Sequence, residues 1–384
     1  MRIVIAPDSF KECLSAAEVA EAIASGVKEA LPQADIACVP MADGGEGSLD
    51  AVLAATGGER KTLDVLDANG QPTQASWAWL GEGRAFIEMA AAAGLEQIPP
   101  LERRPLQASS FGVGQLIQAA VEAGARHIVL GLGGSATNDA GAGLLQALGA
   151  RLLDGQGNDL PGGGAALRQL DRILLDDLDP RLQEVQFEVA VDVDNPLCGP
   201  RGASAIFGPQ KGASADDVAE LDAALAHFAD VCARHCGSDH RDIPGMGAAG
   251  GLGFGVKACF KAGFRPGVEL VAELSGLVAA LRGADLVFTG EGRMDAQTLL
   301  GKTPAGVARY ARRAGIPVIA LAGSLGEGYE ALYPEGITAA FSLAPGPVSL
   351  EQAYAQAGEY LRQRAGDCTR AWLAGRNAAQ APQE

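Results

Sequence analysis

The chain has 384 residues, of which 48% are hydrophobic and 5% aromatic, and its formal net charge is -17. This length is sufficient for two domains, and the acidic balance argues against nucleic acid and anionic membranes as partners. No apolar run reaches the roughly 18 residues of a transmembrane helix, and the seven cysteines lack framework spacing, as is typical of the cytoplasm, the location we predict.

The N-terminal pattern predicts the start of a parallel sheet with helices on its faces. An apolar strand at 2–6 precedes a helix that begins after Ser15, because Ser15 and Glu18 have the spacing of a capping box. A second strand at 36–39 precedes a helix at 48–55. This βαβα order is typical of a doubly wound α/β domain.

The pattern changes near residue 60, where short strands separated by Asn69-Gly70 and Gly81-Glu82-Gly83 indicate hairpins. The βα alternation returns with strands at 284–289 and 317–322. The tail after Ala374 is predicted to be disordered. We therefore predict an α/β fold of two domains: a discontinuous, doubly wound, mostly parallel Rossmann-like domain at 1–60 and 276–384, and an inserted mixed α/β domain with glycine-rich loops at 61–275.

A glycine-rich run at 131–143 follows an apolar strand at 127–130 and leads into an apolar helix. Such a turn presents backbone N–H groups and a helix N-terminus, which together bind phosphate. The run also fits a dinucleotide fingerprint, Gly131-x-Gly133-x-x-Ala136 with Asp154 downstream, so an NAD(P)-dependent dehydrogenase of a small hydroxy acid is the alternative. Polar side chains at 135 and 137–139 favour contacts with phosphate oxygens or a metal ion instead.

A second glycine segment, Gly301-Lys302-Thr303, has the residues that end a nucleotide-binding P-loop. That pattern also needs glycine at 296, where this chain has Ala296, and a strand directly before the segment, which the sequence lacks. The sequence therefore does not favour a P-loop nucleoside triphosphatase.

Polar turns follow five of the predicted strands, and ligands of parallel sheets bind at the carboxyl ends of strands. The contents of the turns match the needs of phosphoryl transfer, which uses phosphate donors, a carboxylate for Mg²⁺, an acceptor for the hydroxyl proton, and cations. The turns are Asp8-Ser9-Phe10-Lys11, Asp43-Gly44-Gly45-Glu46, Asp192-Val193-Asp194-Asn195, Gly290-Glu291-Gly292-Arg293-Met294-Asp295 and Gly323-Ser324.

Several segments resemble the bacterial glycerate kinases that yield 2-phosphoglycerate, the type-1 glycerate kinase family. They follow the family's order over nearly the whole chain and lie at 3–11, 39–47, 131–143, 206–213 and 289–295. The resemblance implies ATP- and Mg²⁺-dependent phosphorylation of D-glycerate in organic acid catabolism, and a two-domain fold with a discontinuous first domain. The chain departs from the family pattern at Ala140, where glycine is usual, and at Cys13, where serine is usual.

We assign the nucleotide phosphates to the glycine-rich run and glycerate to the turns of the terminal domain. Arg293 and Lys11 are expected to hold the glycerate carboxylate, because an acidic protein must supply cations locally. The full substrate set is Asp8, Ser9, Lys11 and Arg293, and the nucleotide set is Gly133, Gly134, Ser135, Thr137 and Asn138.

Asp192 is predicted to accept the proton of the substrate hydroxyl, because it follows a buried strand and its position is therefore rigid. Asp194 and Asp8 are the alternatives for this role. The expected partners are the small molecules D-glycerate and ATP, and the expected assembly is a monomer or a homodimer.

The negative charge of the transferred phosphoryl group must be neutralised by a metal ion and by cationic side chains. Glu291 and Asp295 are expected to bind Mg²⁺, directly or through water. Lys211 is expected to neutralise the charge that develops during transfer, together with Arg293.

Overall fold

The computed structural model describes residues 1–237 and 239–380, and the side chains of all of these except Cys236, Ala379 and Gln380. The chain divides into two compact units. Unit 1 comprises residues 1–43, 50–57 and the chain from Val268 onward, and unit 2 comprises residues 44–49 and 58–267.

The described residues contain thirteen β-strands. In chain order they are β1 (Arg2–Ile5), β2 (Asp35–Cys38), β3 (Glu59–Leu66), β4 (Pro72–Gly81), β5 (Arg84–Glu88), β6 (His127–Gly131), β7 (Arg151–Leu153), β8 (Arg172–Leu174), β9 (Gln186–Ala190), β10 (Ala262–Arg265), β11 (Leu286–Met294), β12 (Val318–Leu325) and β13 (Ala339–Ser342).

None of the helices within the described ranges has the length and apolar character needed to cross a membrane. The α-helices are α1 (Ala16–Ala30), α2 (Ser48–Thr56), α3 (Ala90–Ala93), α4 (Phe111–Glu122), α5 (Ala142–Ala147), α6 (Ala203–Phe207), α7 (Ala215–Cys236), α8 (Ala248–Cys259), α9 (Gly267–Leu274), α10 (Leu277–Ala280), α11 (Thr303–Arg313), α12 (Leu350–Ala355) and α13 (Ala357–Gln380). Short 3-10 helices lie at Pro100–Glu102, Gly164–Gln169, Pro180–Glu184, Pro209–Lys211, Ala296–Leu299 and Tyr329–Leu332.

The sheet of unit 1 has the strand order β13-β12-β11-β1-β2, and every neighbouring pair is parallel. The chain runs from β1 toward one edge and from β11 toward the other, so the winding direction reverses between β1 and β11. Ligands of open parallel sheets bind at such a reversal, beyond the carboxyl ends of the strands. The predicted turns at 8–11 and 290–295 belong to these two strands.

Helix α1 begins as the sequence predicts. The Ser15 hydroxyl accepts a hydrogen bond from the Glu18 N–H at 3.3 Å, and the Glu18 carboxylate accepts one from the Ser15 N–H at 2.8 Å. Val19, Ile23 and Val27 are buried at helical spacing and pack in a core shared with β1, β11 and α13.

The larger sheet of unit 2 has the strand order β10-β9-β6-β5-β4-β3. Strands β10, β9, β6 and β5 are parallel, whereas the hairpin strands β4 and β3 are antiparallel. Strands β7 and β8 form a separate antiparallel pair. The predicted α/β fold, with one doubly wound parallel sheet and one mixed sheet, is confirmed.

Two elements extend further than predicted. β11 continues through Met294 in register with β12, although the sequence suggested a turn after Thr289. Glycine makes this extension possible, because a Cβ on Gly290 would lie 2.0 Å from the carbonyl oxygen of Leu321. The prediction of disorder after Ala374 is wrong for residues 375–380, which continue α13, where Arg376 binds Asp285 at 2.7 Å.

Candidate active site

The carboxyl end of β1 lies beside the middle of β11 in unit 1. The Asp8 N–H donates to the Gly290 carbonyl at 2.9 Å, which continues the pairing of β1 with β11 beyond the end of β1. A Cβ on Gly292 would lie 3.8 Å from the backbone nitrogen of Lys11, so the 8–11 turn packs on the polar part of β11. The structure therefore brings together the turns that sequence analysis assigned to glycerate.

Asp8 lies at the centre of this group and is half-buried. Its Oδ2 accepts a hydrogen bond from the Thr303 hydroxyl at 2.5 Å, and its Oδ1 accepts one from the Ser9 N–H at 2.7 Å. Burial, and secondarily the negative charges of Asp43 and Glu291, raise the pKa of Asp8 from 3.8 to about 7, although the two hydrogen bonds oppose the rise. Asp8 therefore exchanges protons near neutral pH.

Glu291 is a second buried carboxylate, only 7% exposed. Its Oε1 accepts a hydrogen bond from the Thr298 hydroxyl at 2.6 Å, and its Oε2 lies 3.6 Å from the Lys302 ammonium. Burial raises the pKa of Glu291, and Thr298 and Lys302 oppose that rise. Lys302 and Thr303, which belong to the incomplete P-loop pattern, thus contact Glu291 and Asp8. The sequence pattern did not indicate these contacts.

Asp295 caps the short helix Ala296–Leu299, where its Oδ1 accepts a hydrogen bond from the Gln297 N–H at 2.9 Å. Its Oδ2 accepts a hydrogen bond from Arg293 at 3.1 Å, and the Arg293 side chain is otherwise 70% exposed. Both carboxylates predicted to bind Mg²⁺, Asp295 and Glu291, are therefore engaged by protein donors. Within the described side chains, no group of three or more His, Cys, Asp or Glu residues is arranged to hold a metal ion. The assignment of Mg²⁺ to Glu291 and Asp295, directly or through water, stays a prediction.

In unit 2, two glycine-rich segments pack against each other through their backbones. A Cβ on Gly131 would lie 2.5 Å from the Gly44 carbonyl oxygen, and one on Gly133 would lie 2.4 Å from the Gly45 Cα. Only glycine permits such an approach without displacing the backbone. This packing explains why residues 44–49 belong to unit 2, whereas the sequence suggested that they belong to the terminal domain.

The residues predicted to hold nucleotide phosphates differ in their access to solvent. Gly134 is exposed and Gly133 is partly exposed, whereas Ser135, Thr137 and Asn138 are buried. The Asn138 amide donates to the Ser204 hydroxyl at 2.8 Å. The backbone of Gly133 and Gly134 is therefore the part of the run that a ligand reaches, and the buried side chains support it.

Lys211 holds this run from inside the protein. It is 2% exposed, and its ammonium donates to the Ser135 hydroxyl at 2.8 Å and to the Thr137 carbonyl at 2.6 Å. Burial lowers the pKa of Lys211 from 10.5 to about 7, and the negative charge of Asp139 partly offsets the effect. Lys211 is thus placed to order the glycine-rich run.

Asp139 ties the end of the same run to neighbouring backbone. Its Oδ2 accepts hydrogen bonds from the N–H and hydroxyl of Ser110 at 2.8 and 2.9 Å, and its Oδ1 accepts one from the Gly141 N–H at 3.1 Å. Burial raises the pKa of Asp139, and these hydrogen bonds oppose the rise. The sequence suggested that Asp139, like the other polar side chains of the run, contacts phosphate oxygens or a metal ion, whereas its carboxylate binds Ser110 and Gly141. Ser110 belongs to no motif, so the sequence did not point to it.

Ala140, which replaces the usual family glycine, has a φ of 52°. Glycine adopts this left-handed conformation without strain, whereas alanine does not. The substitution therefore affects the backbone as well as adding a methyl group. The hydrogen bond from the Ala140 N–H to the Gly250 carbonyl, 2.9 Å long, helps to maintain the conformation.

Three acidic residues lie at or beyond the carboxyl edge of the unit 2 sheet. Asp192 follows β9 and accepts a hydrogen bond from the Gly267 N–H at 3.1 Å, and Asp194 is exposed and pairs with Arg201 at 3.3 Å. Glu88 ends β5 opposite Gly131 and accepts a hydrogen bond from the Leu49 N–H at 2.5 Å. Sequence analysis missed Glu88, because a glutamate that ends a hairpin strand carries no motif.

The dehydrogenase alternative gains no support from Asp154. A dinucleotide-binding acid follows a second strand parallel to the first. Asp154 instead lies in the turn after β7, which pairs antiparallel with β8 outside the main sheet. It accepts hydrogen bonds from the Gln156 and Asn158 N–H groups, both at 2.9 Å, so its carboxylate stabilises its own turn.

The pattern of the glycerate kinase family matches residues 3–373 of this chain. The protein named glycerate kinase in Bacillus subtilis (strain 168) is 50% identical over 96% of each chain. The protein named glycerate 2-kinase in Escherichia coli (strain K12) is 48% identical over 92% of this chain and 93% of its own. A crystal structure described as "putative glycerate kinase 2" from Salmonella typhimurium LT2 is 48% identical and matches 98% of this chain and 99% of that chain with a TM-score of 0.90. The chain therefore belongs to the glycerate kinase family and is a phosphotransferase with an alcohol group as acceptor.

Proposed function

We propose that the protein transfers the γ-phosphoryl group of ATP to the C2 hydroxyl of D-glycerate and forms 2-phosphoglycerate. The observation that carries this proposal is the 48% identity, over 92% of the chain, to the E. coli protein named glycerate 2-kinase. Considered separately, the acidic cluster of unit 1 (Asp8, Asp43 and Glu291) offers carboxylates, and the glycine-rich run of unit 2 offers backbone donors for phosphate.

The ATP phosphates bind the backbone N–H groups of Gly133 and Gly134. These glycines are the accessible part of the run, and Lys211 fixes the residues that follow through Ser135 and Thr137. A turn held in place before the ligand arrives avoids the free-energy cost of reorganisation during the reaction. The buried residues Ser135, Thr137 and Asn138 therefore support the turn that presents Gly133 and Gly134.

Glycerate binds at the 8–11 turn and β11. Lys11 is exposed in the 8–11 turn, and the Arg293 side chain on β11 is 70% exposed. In a protein with a net charge of -17, such cations provide the local attraction that a small carboxylate requires. Ser9 and Asp8 offer polar contacts to the hydroxyl groups of the substrate.

Mg²⁺ enters as the ion of the ATP complex. Magnesium is commonly bound through substrate phosphates and retained waters rather than by a cage of protein ligands. This role agrees with the protein hydrogen bonds already made by Glu291 and Asp295. We further propose that the enzyme acts in the cytoplasm as a monomer or homodimer, which size-exclusion chromatography with light scattering will distinguish.

The position of phosphorylation is tested by NMR of the product formed from ATP, Mg²⁺ and D-glycerate. For 2-phosphoglycerate, the phosphorus couples to the single C2 proton. Coupling to the two C3 protons would show that the product is 3-phosphoglycerate and would contradict the assigned position while preserving the kinase activity.

A further inference from the structure

The proposed binding of ATP and glycerate uses no residue of the Gly301-Lys302-Thr303 segment. Its side chains nevertheless contact Asp8 and Glu291 in unit 1. Thr303 is the first residue of α11 and is fully buried. Its hydroxyl donates to Asp8 Oδ2 at 2.5 Å, and the two residues are 295 positions apart in the chain. A buried hydroxyl that reaches this far in sequence fixes one particular orientation of the Asp8 carboxylate.

The other groups that face Asp8 come from several elements. Ser9, in the same turn, donates its N–H to Oδ1, while the carboxylates of Asp43 and Glu291 act on Asp8 by charge repulsion. Lys302 pairs with Glu291 at 3.6 Å. Asp8 thus accepts three hydrogen bonds, two from Ser9 and one from Thr303, among like charges, while part of its surface remains exposed.

We propose that Asp8 is the catalytic base that takes the proton from the acceptor hydroxyl, and that Thr303 is the residue that positions it. The proposal rests on the proposed glycerate kinase activity. As the hydroxyl oxygen bonds to the γ-phosphorus, the bond from that phosphorus to the bridging oxygen breaks and ADP leaves. The hydroxyl proton moves to Asp8, which later releases it to solvent.

Asp8 meets the requirements for this role better than the acids after β9. Asp194 is exposed and pairs with Arg201, so it resembles an ordinary surface acid. Asp192 accepts a hydrogen bond from the Gly267 N–H at Oδ1. Asp8 is oriented at both oxygens, and its pKa of about 7 allows it to gain and lose a proton near neutral pH.

The test compares pH profiles of kcat for the full-length enzyme and its variants, with saturating ATP, Mg²⁺ and D-glycerate. Asp8→Asn is expected to lower kcat by about 100-fold or more while MgATP still raises its melting temperature. Wild-type kcat is expected to rise as the pH passes through about 7, because Asp8 must be deprotonated. Thr303→Val removes a hydrogen bond that lowers the pKa of Asp8, so the rise should move to higher pH, and Thr303→Ser should restore it.

Thr298→Val is the control, because it removes a buried hydroxyl that donates to Glu291 instead of Asp8 and accepts the Asp295 N–H. The resulting rise in the pKa of Glu291 weakens its repulsion of Asp8, so the profile should stay in place or move slightly to lower pH. An Asp8→Asn variant that keeps more than about a tenth of kcat would overturn the proposal. A Thr303→Val variant whose pH profile of kcat does not move would also overturn it. The same holds if the rise of kcat near pH 7 is lost in Asp192→Asn but kept in Asp8→Asn. A wild-type enzyme that transfers no phosphoryl group to glycerate would instead refute the proposed function, and this inference with it.

Discussion

At the scale of single residues, the structure places ionisable side chains where water cannot solvate them fully. Lys211 is 2% exposed, and Asp139 is fully buried. Each is compensated by hydrogen bonds to the glycine-rich run or its neighbours rather than by a close ion pair. Such burial is costly on its own, so these residues contribute mainly by ordering the backbone.

Lys211→Met tests this interpretation through stability. The variant leaves the Ser135 hydroxyl and the Thr137 carbonyl without their donor, which costs about 1–3 kcal/mol. The folded pKa of Lys211, about 7, is below the unfolded value of 10.5, so between them the unfolded chain binds more protons. Wild-type stability therefore rises with pH across this window, and the stability difference between wild type and variant should be larger at about pH 9 than at about pH 7.

Chemical denaturation of both proteins at the two pH values measures this difference. Lys257→Met is the control, because Lys257 donates to the Ala262 carbonyl at 3.0 Å from a less buried position. A Lys211→Met variant whose loss of stability is the same at both pH values would show that the buried ammonium does not titrate in this window.

Asp8→Asn should separate stability from activity. The folded pKa of Asp8 is raised from 3.8 to about 7, so between these values the folded protein binds more protons than the unfolded chain. Wild-type stability thus falls as the pH rises through this window, and the destabilisation by the ionised Asp8 carboxylate is fully present above about pH 7. The variant should be more stable than wild type by about 1 kcal/mol near pH 8 but not near pH 4. Thermal unfolding checks this, with the exposed Asp177→Asn as control, and a variant that is less stable near pH 8 would contradict it.

At the scale of elements, periodicity and caps predicted β1, α1, β6 and the hairpin strands, because these depend on local sequence. The end of β11 could not be predicted in this way. Its last residues pair with β12 as far as Leu325, and the pairing depends on how closely Gly290 approaches Leu321. An extension of this kind is set by a partner strand that is distant in sequence.

Gly133→Ala tests the packing of the two glycine-rich segments. A Cβ would lie 2.4 Å from the Gly45 Cα, so backbone must move, and we expect a loss of about 1–3 kcal/mol together with weaker MgATP binding. Gly155→Ala is the matched control, because no atom lies within 4 Å of its Cβ. It should change stability by less than about 0.5 kcal/mol. Equal melting temperatures for the two variants, measured by calorimetry with and without MgATP, would refute the packing argument.

At the scale of the whole molecule, the sequence motifs predicted the family and the fold class more completely than the candidate site. The motif acids and cations at strand ends could be recognised, because parallel strands bring their carboxyl ends to one edge. The roles of Thr303, Thr298 and Lys302 could not be recognised from the sequence. Each depends on a contact of its side chain with Asp8 or Glu291 that no motif indicates. Burial also changed the interpretation of Lys211, from a residue that faces phosphate to one that holds the run from within.

The proposed function requires a protein of net charge -17 to bind two anionic substrates, ATP and D-glycerate. The most direct measurement is release of ADP from ATP and Mg²⁺ in the presence of D-glycerate, with enolase as the only enzyme that consumes the other product. We predict ADP release that depends on D-glycerate and is accompanied by phosphoenolpyruvate, because enolase dehydrates 2-phosphoglycerate directly. ADP release without phosphoenolpyruvate until a phosphoglycerate mutase is added would contradict the position of transfer, and no glycerate-dependent ADP release would contradict the proposed activity itself.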